Sequence, residues 1–246
     1  MATAKAVVIG VGAENGLGAA LCRRFATAGH HVLVAGRSAP KLELVARSIE
    51  KSGGRATPVV TDTTSERDVI GLFDLAMSDR DGSSLADLVV YNAGNNLRQD
   101  LRDTTAEMFE EFWRVGCFGG FLVGREVARR MVPLGRGTVI FTGASASLRG
   151  RPGFAHFAAA KAGLRMVAQS MARELGPLGI HVAHVVIDGA IHGERVLSRW
   201  PQLAQERGED GLLGPEAIAE SYWQIHLQHR SAWSHEIDLR PFKESF

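Results

Sequence analysis

Short apolar, β-branched runs recur along the chain at AVVIG (6–10), HVLVAG (31–36), ATPVV (56–60), DLVVY (87–91), GTVIF (137–141) and IHVAHVVI (180–187). Between them lie amphipathic stretches rich in Ala, Leu, Arg and Glu, suited to helices of roughly 12 to 25 residues. Within the runs the apolar positions are continuous rather than alternating. Both faces of each strand are therefore covered, the pattern of a parallel sheet between helical layers. The expected fold is a single α/β domain, a doubly wound parallel sheet spanning 1–246. Gly53-Gly54 and Gly135-Arg136-Gly137 read as helix-to-strand turns, and HEIDLRPF (235–242) as a closing edge strand behind a final helix. Only 191–215 breaks the rhythm: charges, Trp200 and several glycines follow a strand end, where sheets of this kind bind ligands. That segment reads either as a lid over a substrate or as an ordinary surface excursion.

Composition narrows the function classes. The 246 residues, 45% of them hydrophobic, suffice for one substantial core. Twenty-eight basic residues against 27 acidic ones give a net charge of +1, so no overall field recruits nucleic acid or an anionic membrane. Cys22 and Cys117 are too few and too isolated for a disulfide framework or a metal site, and read as small buried hydrophobes. No apolar run approaches the length of a membrane span or a signal h-region, so a soluble, cytoplasmic protein is expected. In the aromatic, histidine-rich tail, His226 and His229 have i,i+3 spacing but no sequence-near Cys or acidic residue to complete a metal set. No metal is expected there.

The chemistry-bearing stretch is VVIGVGAENGLGAAL, which puts Gly10, Gly12, Asn15, Gly16, Leu17 and Gly18 where the first strand passes into the first helix. Glycines there let backbone N–H groups and the positive helix end approach a pyrophosphate. A carboxylate after the second strand would favour NAD(H), whereas an arginine accommodates the 2′-phosphate of NADP(H). Gly36-Arg37-Ser38 supplies no acid, so NADP(H) is preferred over the alternative NAD(H). Asp62, after the third strand, suits an adenine contact or, with Thr63, Thr64 and Ser65, the cap of the next helix.

Taken together, Gly12-x-x-x-Gly16-Leu17-Gly18, Asp62, Asn92-Ala93-Gly94 after the fourth strand and Lys161 in a helix after the fifth resemble the short-chain dehydrogenase/reductase family. The resemblance covers nearly the whole chain. It implies NAD(P)-dependent hydride transfer on a small-molecule substrate and a homodimer or homotetramer. It also implies a tyrosine acid/base, a lysine four residues later that binds the nicotinamide ribose and lowers the tyrosine pKa, a serine 13 residues before the tyrosine, and a helical asparagine. In this sequence Phe157 stands at the tyrosine position, Ala144 at the serine and Gly116 at the asparagine; Lys161 alone is kept. A Pro-Gly loop ending in threonine, which clasps the nicotinamide amide in relatives, corresponds to Asp188-Gly189-Ala190-Ile191-His192-Gly193, and Val11 replaces the usual threonine before Gly12.

General acid catalysis is typically worth about 10²–10⁴-fold, so a redox site without the tyrosine needs a substitute among nearby groups. Ser145 lies one residue beyond the serine position, with Ser147 close behind. His192 and Asp188 belong to the loop expected against the nicotinamide, and a histidine can supply a proton near neutral pH. His156 adjoins Phe157 but points about 100° away around the helix. Asn95, Asn96 and Arg98 follow a strand end where a polar or anionic substrate would sit. Three functions remain open at this point: an atypical NADP-preferring oxidoreductase, a non-redox lyase, dehydratase or isomerase on the same fold, and a catalytically silent NADP-binding sensor or partner.

Overall fold

In a computed structural model, which describes residues 3–244, the sheet follows the apolar runs closely. Its strands are β1 (Lys5–Ile9), β2 (His31–Gly36), β3 (Arg55–Val60), β4 (Ala86–Tyr91), β5 (Gly137–Thr142), β6 (Ile180–Ile187) and β7 (Glu236–Leu239). They lie in the order β3-β2-β1-β4-β5-β6-β7, and every neighbouring pair is parallel. β1 and β6 are buried along their whole length, as continuous apolar runs require. β3 is an edge strand whose burial alternates, and it tolerates Pro58 because an edge has no second ladder to complete.

Nine α-helices of the described residues cover the sheet: α1 (Leu17–Thr27), α2 (Ala39–Lys51), α3 (Glu66–Ala76), α4 (Ala106–Trp113), α5 (Gly119–Met131), α6 (Ala155–Leu175), α7 (Glu194–Arg199), α8 (Pro201–Arg207) and α9 (Pro215–His226). Strand alternation divides the core. Ala6 and Val8 of β1 face one layer, with Phe25 of α1, Ile49 of α2 and Tyr222 of α9. Val7 and Ile9 face the other, with Phe73 of α3, Leu122 of α5 and Leu164 of α6. Ser65 caps α3 by accepting from Asp68 N, and Thr105 caps α4 by accepting from Met108 N.

Two features position the site. Strand order reverses between β1 and β4, which opens a crevice beyond their carboxyl ends. A π-helical turn over Arg114–Phe118 joins α4 to α5 and presses Gly116 against α6. Residues 191–215 form α7 and α8 plus a parallel bridge between Ile191 and Leu213. Among the described residues no helix is long and apolar enough to cross a membrane.

Candidate active site

The glycine turn leaves β1 at the crevice. A Cβ on Gly10 would stand 2.5 Å from Ala93 N, so the turn packs directly on the end of β4, and Asn92 Nδ2 donates to the Gly10 carbonyl at 3.3 Å. Asn92 and Ala93 thus support the turn from beneath. Gly16 is the N-cap of α1, whose start has no side-chain cap and no acid in its first turn. Its leading N–H groups are left for an external anion. Gly12 faces open space, whereas a Cβ on Gly18 would meet Val11 Cα at 2.9 Å. Arg37 is exposed just beyond β2 and makes no ion pair among the described residues. An open cradle and a bare helix terminus together fit the pyrophosphate of a dinucleotide.

Lys161 lies on the buried side of α6, 5% exposed. Its Nζ donates to the Thr142 carbonyl at 2.7 Å, and a Cβ on Gly94 would lie 3.3 Å from the same nitrogen. Burial, and secondarily the charge of Arg195, pull its pKa from 10.5 to about 8. No carboxylate pairs with this amine among the described residues, which suits it to neutral ribose hydroxyls. Phe157 is one helical turn before it and half-buried. Ser145 begins a short 3₁₀ turn (Ser145–Ser147) after β5, half-buried, and its hydroxyl has no partner among the described residues. Ser147 instead donates to the Ala144 carbonyl at 2.7 Å and serves the turn.

The altered positions fit their surroundings sterically. A Cβ on Gly116 would stand 2.7 Å from Ala160 Cβ, so this helix crossing has no room for an asparagine. Any Cβ on Gly143 would overlap the imidazole of His184. That imidazole is fully buried in β6; its Nδ1 pairs with Glu236 Oε2 at 2.8 Å, and Arg165 grips the same carboxylate at 2.7 and 2.8 Å. Burial holds the His184 pKa down to about 4, so the ring is neutral. Nothing in the sequence order announced this His184–Glu236–Arg165 group beneath the site. Its one readable sign was the pair of histidines, His181 and His184, inside an otherwise apolar strand.

Other expected residues fall into structural roles. Asp188 is 2% exposed; Arg149 holds its two oxygens at 3.1 Å each, and Arg240 stands 3.4 Å away. It anchors its loop. His156 is fully buried, with Nε2 on the Leu97 carbonyl at 3.0 Å and its ring edge-on to Phe112. Asp62 Oδ1 accepts from Thr64 N at 2.9 Å and Thr64 Oγ1 at 2.8 Å, forming a turn ahead of the Ser65 cap and leaving Oδ2 for other contacts. His192 is exposed in a groove shared with Glu14, Asn15, Arg23 and Leu197, beside the glycine turn. The 191–215 segment spans the crevice mouth: Glu194 N donates to Asn15 Oδ1 at 3.2 Å, and Arg199 donates to the Asn96 carbonyl at 3.2 Å.

Residues 5–194 match the family described as short chain dehydrogenase. The chain belongs to the short-chain dehydrogenase family. An uncharacterized oxidoreductase of Bacillus subtilis is 31% identical to this family member over 88% of its chain. Gluconate 5-dehydrogenase of Gluconobacter oxydans is 30% identical over 70% of it. The chain spans 31% of the length of the first and 66% of the second. Among solved structures, a short-chain dehydrogenase from Rhodopseudomonas palustris is 38% identical, with a TM-score of 0.82 and coverage of 97% of this chain and 99% of that one. A gluconate 5-dehydrogenase from Burkholderia cenocepacia, in complex with NADP and tartrate, has the same fold at 23% identity and a TM-score of 0.82, covering 98% and 95%. The family and the Rossmann-type sheet thus agree with the fold of this short-chain dehydrogenase.

Proposed function

We propose that this chain is an NADP-preferring oxidoreductase of a small, polar or anionic substrate, working without the usual tyrosine, serine and asparagine. The carrying observation is Lys161, whose buried amine reaches the crevice with Phe157, not a hydroxyl, one turn before it. Gly12, Asn15, Gly16, Leu17 and Gly18 receive the pyrophosphate, Arg37 the 2′-phosphate, Asp62 the adenine, and Asn92, Ala93 and Gly94 the inner ribose face. A bound nicotinamide cofactor supplies hydride exchange at C4. Lys161 grips its ribose, Ser145 orients the substrate, and His192 or water carries the proton that Phe157 cannot. Residues 191–215 close over the complex. Support for NADP comes from the unpaired Arg37 and from the NADP held by the Burkholderia neighbour; Arg195, beside Lys161, adds positive charge where an anionic substrate would sit. Exposed Phe109, Trp113 and Phe121 on α4 and α5 favour a homodimer or homotetramer.

Fluorescence titration with NADPH and NADH tests the reading: NADPH is expected to bind tighter, and Arg37→Asp to weaken NADPH by roughly tenfold or more while sparing NADH. Failure of both cofactors to bind at millimolar concentration defeats it. The missing hydroxyl favours a second reading, a cofactor-binding protein without turnover. Carbonyl reduction by Phe157→Tyr but not by the native chain would support that one.

A further inference from the structure

At the strand ends opposite the glycine turn, three residues far apart in sequence converge. His30 immediately precedes β2, Asp87 is the second residue of β4, and His226 is the last of α9. One donor atom from each lies within 4.8 Å of the other two. His30 Nε2 is 2.9 Å from Asp87 Oδ1, and His226 Nδ1 is 3.0 Å from Thr138 Oγ1. This corrects the expectation that His226 lacks metal-forming partners: they come from 139 and 196 positions earlier in the chain (226 − 87 and 226 − 30). From these side chains we infer that His30, Asp87 and His226 form a binding site for a divalent transition-metal ion of the zinc class, with a fourth position open to water.

The donor chemistry selects the ion. Two imidazoles and one carboxylate suit Zn²⁺, Co²⁺ or Ni²⁺; Mg²⁺ and Ca²⁺ favour oxygen alone, and Cu(I) favours sulfur. Ligands about 2.0–2.1 Å from a tetrahedral ion stand about 3.3 Å from one another. The His30–Asp87 pair therefore opens by a few tenths of an ångström and the wider pairs close around the ion. Thr138 engages Nδ1 of His226 from outside the cluster, fixing the ring with Nε2 left for coordination. His30 Nε2 pairs with Asp87 Oδ1, while His30, 8% exposed, keeps Nδ1 buried without a partner among the described residues. Asp87 and His226 are half-buried, giving an ion an entry path. Trp223 packs against both rings, at 5.7 Å from His30 and 5.3 Å from His226; Arg24, over the same indole, is paired with Glu220.

The test uses the tag-free chain stripped with a chelator. Zinc is titrated by calorimetry and cobalt by visible absorption. One ion per chain at micromolar zinc is expected, with the strong visible bands of four-coordinate cobalt and quenching of Trp fluorescence that Trp223→Phe removes. Asp87→Ala and His226→Ala should each weaken zinc by more than about tenfold, while NADPH titrates as in the native chain and so reports that the fold is intact. Asp87→Asn, which retains the shape and a hydrogen bond to His30, should weaken zinc as well. No saturable binding at micromolar zinc overturns the site, as does binding that survives both ligand substitutions.

Discussion

The burial of Lys161 works against stability at neutral pH. Its surroundings prefer the neutral amine, with a pKa of about 8 against the ordinary 10.5. In that interval the unfolded chain holds more protons than the folded one, so this residue makes stability rise with pH from about 8 to 10.5. Below that window its burial costs about 3 kcal/mol. Lys161→Met should recover this at neutral pH, less about 1 kcal/mol for the donor lost by the Thr142 carbonyl. The net gain of roughly 2 kcal/mol raises Tm by about 4–8 °C, while NADPH affinity falls at least about tenfold. Denaturant melts at neutral and alkaline pH check it: an unchanged slope of stability with pH would mean that the amine is not desolvated. The sequence placed Asp188 in the loop expected against the nicotinamide, but its ion pairs with Arg149 and Arg240, 39 and 52 positions away (188 − 149 and 240 − 188), were not legible because only the fold brings them together.

Between elements, Gly143 at the exit of β5 and His184 in β6 occupy one space. A methyl group at Gly143 has nowhere to go while the imidazole is present, so Gly143→Ala should destabilise by about 1–3 kcal/mol. In a His184→Ala background the same change should cost about 1 kcal/mol less, a coupling that a double-mutant cycle in urea reads. Additive effects would mean that the loop shifts aside instead. Strand positions were legible because apolar runs are local: AVVIG (6–10) became Lys5–Ile9, and 180–187 was found with its boundaries intact. The π-helical turn at Gly116 was not, because a bulge is set by the helix packed against it, here through Ala160.

Across the whole molecule, the most exposed aromatic side chains of α4 and α5 form a stripe: Phe109, Trp113 and Phe121, with Phe118 stacked between Trp113 and Phe121 at 5.8 and 6.2 Å. Covered by a second copy, such a stripe leaves water. Phe121→Glu should shift the chain toward monomer in sedimentation at micromolar concentration without changing NADPH affinity, and an unaltered mass would place any assembly interface elsewhere. The doubly wound sheet could be read from the chain because its alternation of elements is a global period, whereas the His30–Asp87–His226 group could not, since only strand order brings β2, β4 and α9 together. The floor of the crevice has its own order of arrival. Glu236 fastens His184, Arg240 fastens Asp188, and the Asp188 amide donates to the Leu239 carbonyl. On the ribosome, the glycine turn and Lys161 are made long before the strand that locks the floor beneath them. A nascent chain halted before β7 should therefore hold NADPH only loosely, and tight cofactor capture should begin when residues 236–240 clear the exit tunnel.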